Sequence, residues 1–314
     1  MLEVRRYTAA DLEAWNGFVA EAKNATFLLD RRYMDYHSDR FTDASLMVND
    51  GTRLVALLPA NVDGTTLVSH GGLTYGGLVM GEDMTTERCL EVFGSINKFL
   101  RGSLYINKVV YKPTPWIYHT LPAEEDLYAL VQVCHARLTA REISTTVRLR
   151  QPMKFAKLRH RGANKARRLG LTVRETDDLN AFWCILDNNL EEKYHVSPVH
   201  TPEELALLKS RFPNRLRLFM AYREELPLGG TLVFDCGSVV HTQYISASTE
   251  GKMSGALDLV FDQLIHHTFA DRQWLDFGKS TEQGGTWLNT NLIHQKEGFG
   301  GRAVCYDTYE WTLS

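Results

Sequence analysis

Four segments decide the reading of this chain: Tyr244-Ile245-Ser246-Ala247-Ser248, Gly251-Lys252-Met253-Ser254-Gly255-Ala256, Trp274-Leu275-Asp276-Phe277-Gly278 and Gln295-Lys296-Glu297-Gly298-Phe299-Gly300-Gly301. Their order predicts a strand, a Gly- and Ser-bearing turn that opens an amphipathic helix, and a second short strand. Backbone amides at the start of a helix are a ready cradle for phosphate, and the flanking strands can receive a substrate. The stretch therefore points to a donor with a phosphate or nucleotide part, and so to transfer chemistry. The bland alternative is a plain strand-to-helix loop whose glycines supply positive φ. Past the turn, Leu257, Val260, Phe261, Leu264 and Ile265 recur at helical spacing, which reads as core packing on a sheet.

Upstream, the chain states one pattern of elements twice. Asp11-Leu12 opens a helical run through Trp15, Phe18 and Val19, and Asp177-Asp178-Leu179 opens another through Phe182, Trp183, Ile185 and Leu186. Each run precedes a meander: 46–48, 54–60 and 66–69 in the first half, 216–222, 228–235 and 239–246 in the second. Asp50-Gly51, Asp63-Gly64 and Cys236-Gly237-Ser238 supply the hairpin turns. Gly-rich segments (71–77 and 251–255) lead to helices over 86–100 and 256–269, and strands at 104–111 and 274–277 close the halves. The polar stretch Arg150 to Gly170 reads as a linker or bridging helix.

With 314 residues the chain is long enough for two domains, each with its own core. The expected division is 1–150 and 151–314, with the last strand free to return to the first domain. Charged residues at 23%, hydrophobic residues at 44% and a net charge of −3 describe an ordinary globular protein with no general drive toward nucleic acid or anionic membrane. Neither an apolar leader nor a spanning run is legible, so no membrane insertion is expected. Five scattered cysteines without a Cys-x-x-Cys pair argue against a zinc site or disulfide framework and for a reducing, bacterial cytoplasm.

The order of elements resembles the Gcn5-related N-acyltransferase (GNAT) fold in tandem, and more narrowly the Fem-type and BioF2-like acyl-CoA N-acyltransferases. The residues that carry the likeness are Arg159 to Leu171, Tyr244 to Ser248, Gly255-Ala256-Leu257-Asp258, Asp276-Phe277-Gly278 and Lys296 to Gly301. The resemblance implies an α/β (α+β) fold: two tandem GNAT-like domains, each a mixed, largely antiparallel sheet flanked by helices. It implies an acyl-CoA co-substrate, with Gly251, Lys252, Ser254, Gly255 and Ala256 at its pyrophosphate and no metal. The usual Gln/Arg-x-x-Gly-x-Gly/Ala loop is kept only in its central glycine, since Lys252 and Leu257 stand at its ends. A long helical hairpin found in some transfer-RNA-dependent Fem members is missing, which favours a coenzyme A thioester.

On this reading a primary amine attacks the thioester where the strands 239–246 and 274–277 part. Asp276 acts as base through water, Tyr244 protonates the thiolate, parted backbone amides receive the oxyanion, and Lys296 stands in the reaction channel. His70 and Tyr75, within Ser69-His70-Gly71-Gly72-Leu73-Thr74-Tyr75-Gly76-Gly77, are expected to line an acceptor site for a small-molecule amine or a peptidoglycan-precursor-like molecule. Packing at a tight turn explains them as well. His195, His200, His266 and His267 lack partners at metal-ligand spacing. The basic run Arg159, Arg161, Lys165, Arg167 and Arg168 is either a solvated helix face or a contact for transfer RNA, which keeps an aminoacyl-transfer-RNA-dependent peptidyltransferase as the alternative. A degenerate binding module of the same fold is the third reading.

Overall fold

A computed structural model describes residues 2–194 and 198–313, and the backbone alone for 190–194. Contacts divide the chain into two compact units. One is Met1–Glu142 with Gln283–Thr286 and Cys305–Ser314; the other is Ile143–Glu282 with Trp287–Val304.

In chain order the first unit contains β1 (Leu2–Arg6), α1 (Leu12–Glu21), β2 (Leu46–Asp50), β3 (Arg53–Leu58), β4 (Asn61–Asp63), β5 (Thr66–Val68), β6 (Val79–Met80), α2 (Thr86–Ser103) and β7 (Lys108–Tyr111). β1, β2, β3 and β6 form an antiparallel sheet in that order. The expected meander breaks after β3, because β5 leaves this sheet and runs parallel to β7. Helix α2 starts where the Thr85 hydroxyl accepts the Arg88 N–H. Its buried residues Cys89, Val92, Phe93, Ile96 and Leu100 recur at three and four, so one stripe faces the core.

The second unit holds the end of β8 (Arg137–Arg148), then α3 (Lys157–Arg168), β9 (Leu171–Thr176), α4 (Leu179–Tyr194), α5 (Pro202–Arg211), β10 (Leu216–Arg223), β11 (Leu226–Asp235), β12 (Val239–Ala247), α6 (Thr249–Ser254), α7 (Ala256–Gln263), β13 (Trp274–Lys279) and α8 (Thr290–Glu297). β14 (Arg302–Thr312) follows and passes into the first unit at Cys305. The sheet order is β9-β10-β11-β12-β13-β8, antiparallel except for the parallel pair β12 and β13. The mixed, mostly antiparallel α/β fold is as expected.

Two expectations are refined. Of the linker or bridging helix expected over 150–170, the helix is present as α3, and it packs within the second unit on α7. And 249–254 is a turn of helix rather than a loop, started by Ser248, whose hydroxyl accepts the Gly251 N–H, and ended by Gly255 at φ 81°. Both glycines answer to close packing. A side chain on Gly251 would run into the Leu228 carbonyl, and one on Gly255 into the backbone of Gly162. Gly162 in turn leaves no room for a Cβ beside the Asp258 carboxylate. Helices α3 and α7 therefore meet backbone to backbone.

Candidate active site

β12 and β13 are in register at Val239–Trp274, Val240–Leu275 and His241–Asp276, and there the pairing ends although both strands run on. The sheet has a gap between neighbours at this point. Both strands are also irregular beside it. Gln243 is the extra residue of a bulge, since Leu232 pairs with Tyr244 and Val233 with Thr242. On β13 the register with β8 shifts between Asp276 and Lys279, with Gly278 at φ 71°. Bulges of this kind turn backbone amides and side chains away from the ladder, and they recur beside active sites.

Asp276 sits at the closed end of the gap with no exposed surface. Its Oδ1 accepts from the hydroxyls of Ser144 and Thr146, the latter at 3.1 Å, and from the Gly278 N–H at 3.3 Å. Oδ2 lies 2.9 Å from His241 Nδ1. The carboxylate expected to work through water is thus fully enclosed, and His241 is the partner that carries it toward the gap. His241, a single histidine in a strand of mixed residues, carries no local signal in the sequence.

Lys296 is buried on α8, and its ammonium donates to the carbonyls of Gly278 at 2.8 Å and Lys279 at 2.7 Å. Burial lowers its pKa to about 8, against the opposing pull of Asp276. It stays largely protonated at neutral pH. The Gly-flanked motif around it is a packing joint: Phe299 stacks on Phe277, 5.6 Å between centroids, and lies edge-on to Phe155 at 5.3 Å. Gly301 has no space for a Cβ beside Thr145.

The other wall of α8 faces a cleft of about 460 Å³, lined also by Arg159 at the start of α3 and by Gly251, Lys252, Gly255 and Asp258. That volume suits a small-molecule site. Of the five residues expected at a pyrophosphate, Gly251, Lys252 and Gly255 line the cleft. Ser254 and Ala256 are buried, the Ser254 hydroxyl bonding to the Gly251 carbonyl at 3.2 Å. Lys252 donates to the Asn189 side-chain oxygen. The basic run is mostly engaged within the unit. Arg159 pairs with Asp258 at 2.7 Å, Arg167 with Asp262, and Lys165 donates to the Met253 carbonyl at 2.7 Å. Arg161 and Arg168 remain exposed.

The Tyr244 hydroxyl lies 2.8 Å from His200 Nδ1, its ring edge-on to Trp183, and burial raises its pKa. His70 and Tyr75 lie in the first unit. His70 is buried at φ 51° against Phe41 and His37, and burial lowers its pKa to about 3. Tyr75 is buried too, its hydroxyl 3.0 Å from that of Thr26 and its ring packed on Tyr118. His195 lies outside the described residues. Among the described residues no group of three His, Cys, Asp or Glu side chains stands ready for a metal, and no helix is long and apolar enough to cross a membrane.

Residues 154–284, which hold the parted strands and most of the cleft, match the acetyltransferase (GNAT) domain family. Over nearly its whole length the chain shares its fold with solved structures that include a tandem GNAT protein and FemX. FemX resembles it over 99% of this chain and 97% of its own, at TM-score 0.70 and 10% identity. L-PGS from Bacillus licheniformis does so over 96% and 91%, at 0.61 and 13%. A tandem GNAT protein from the clavulanic acid biosynthesis pathway covers 100% and 99%, at 0.53 and 13%. At these identities the likeness is one of fold. No curated protein matches the sequence.

Proposed function

We propose that the second unit transfers an acyl group from an acyl-CoA thioester to the nitrogen of a primary amine. The observation that carries this reading is the gap that opens past His241 and Asp276, joined through α8 to the cleft. Helix α8 contributes Asn291, His294 and Gln295 to the cleft, joined by Gly298 just past its end, while its Lys296 reaches the gap. A donor seated in the cleft between α3, α7 and α8 would run along β12 and deliver its carbonyl to the parted strands. The bulge at Gln243 re-aims amide donors there, and Lys296 supplies positive charge as the tetrahedral oxyanion forms. Tyr244, held protonated by its raised pKa, is the candidate acid for the leaving thiolate.

The aminoacyl-transfer-RNA donor is the second reading. Arg161 and Arg168 stand exposed on α3, the helix whose start lines the cleft. Thermal unfolding with acyl-CoA thioesters of increasing chain length, and with aminoacyl-transfer RNA at two salt concentrations, separates the two. A rise in Tm with an acyl-CoA and thiol release on adding an amine support the first. A salt-sensitive rise with transfer RNA alone would overturn it.

A further inference from the structure

We infer that His241 is the proton acceptor of the transfer step and Asp276 its positioning residue, an assignment that rests on the acyl-transfer reading above. An ionised carboxylate offers acceptors only, so at 2.9 Å from Asp276 Oδ2 the proton of the neutral ring lies on His241 Nδ1. The lone pair then belongs to Nε2. Asp276 cannot turn away from this duty. Its other oxygen is taken by Ser144, Thr146 and the Gly278 N–H, and with 0% of its surface exposed it has no direct path to a substrate. His241 keeps 14% of its side chain accessible. A proton arriving at Nε2 is stabilised by the carboxylate on the opposite nitrogen.

Position agrees with this role. His241 is the last residue of β12 in register with β13, at the mouth of the gap. A Cβ on Gly278 would stand 3.3 Å from His241 Cε1, so the imidazole lies against the one residue of the bulge that lacks a side chain. The carbonyl of that same glycine binds the Lys296 ammonium. Proton acceptor and oxyanion partner are thus fastened to a single residue. Among the charged groups around the pair, Lys296 from α8 is close enough to Asp276 to feel its charge. β8 brings the neutral hydroxyls of Ser144 and Thr146, and β11 places Phe234 in register with His241.

The step balances without an outside reactant. The amine nitrogen bonds to the thioester carbonyl carbon and gives one proton to His241 Nε2. The C–S bond then breaks, its electron pair leaves on sulfur, and the thiolate takes up one proton, from solvent or from Tyr244, which then recovers one from solvent. His241 returns its own to solvent. Amide and free thiol are the products, and the net proton count is unchanged.

The test is the His241→Gln variant of the full chain, assayed for thiol release with an acyl-CoA and a primary amine across pH, alongside Asp276→Asn and long-range proton–nitrogen NMR of the imidazoles. The expected result is a loss of about 10²- to 10⁴-fold in kcat/KM for His241→Gln, with the acidic limb of the wild-type profile gone. In wild type the His241 ring is expected as the Nδ1–H tautomer, and Asp276→Asn should displace both that tautomer and the acidic limb while the fold persists. A His241→Gln protein that keeps wild-type turnover and pH profile overturns the base, as does an Nε2–H tautomer. A wild-type protein that transfers no acyl group overturns the underlying reading with it. Should His241→Gln unfold, the tautomer and the Asp276→Asn profile still decide.

Discussion

His70 in the first unit and His241 in the second are both drawn into the protein, yet they meet opposite surroundings. His70 packs against Phe41 and His37, its Nδ1 makes no hydrogen bond, and burial drives its pKa down to about 3. His241 has a carboxylate 2.9 Å from Nδ1, itself held by three further donors. A buried imidazole without a counter-charge is a neutral packing piece at any ordinary pH. One that faces an anchored carboxylate has its ring orientation set by that contact. Burial alone therefore does not separate the two histidines; the carboxylate at Nδ1 does.

The largest effect expected on this contrast is at the carboxylate. Asp276→Ala leaves the Ser144 and Thr146 hydroxyls, the Gly278 N–H and His241 without their common acceptor in a site closed to water. A loss of about 3–5 kcal/mol in urea unfolding is expected. A loss under about 1 kcal/mol would mean the network is slack.

His70 should show itself through acid. Its folded pKa lies below the ordinary 6.5, so the unfolded chain binds more protons between about 6.5 and 3, and stability drains away as pH falls through that window. The wild-type loss is on the order of 5 kcal/mol. His70→Asn, which tolerates positive φ, should lose less over the same range of urea midpoints. Equal slopes in both proteins would refute the neutral-packing account.

Lys296 supplies a cation beside the second histidine. Between about 8 and 10.5 the folded chain holds fewer protons than the unfolded one, so stability should rise with pH, by about 3 kcal/mol at most. Turnover should fall over the same range as the ammonium is lost. Lys296→Met is expected to abolish the stability rise and cost about 10²- to 10³-fold in kcat. A variant that keeps wild-type kcat removes Lys296 from the oxyanion.

The smallest effect concerns the helix crossing beside the cleft. Gly255→Ala must push its methyl into the Gly162 backbone from a left-handed conformation, which should cost about 1–3 kcal/mol in thermal unfolding.

Much of the second unit was legible from its turns. Cys236-Gly237-Ser238 marks the hairpin between β11 and β12, whereas Lys296 stood out only through the family resemblance of Lys296 to Gly301. The helix at Thr249–Ser254 was hidden because Gly251 reads locally as a breaker; its reason, the nearness of the Leu228 carbonyl, exists only after folding. His241 was hidden for a related cause. Its partner lies 35 positions away, on a strand whose parallel register no local pattern records. In the first unit the two hairpin turns were readable, but the departure of β5 into another sheet depends on its long-range pairing with β7.

The backbone contact of Gly162 with Gly255 carries a consequence for motion. Helices separated by long side chains can shift as rotamers change, whereas two chains touching at their peptide groups have nothing to rearrange. α3 and the first turn of α7 should therefore open together or not at all. Amide hydrogens of the two segments would then exchange with deuterium at one common rate, a single cooperative block forming one wall of the cleft.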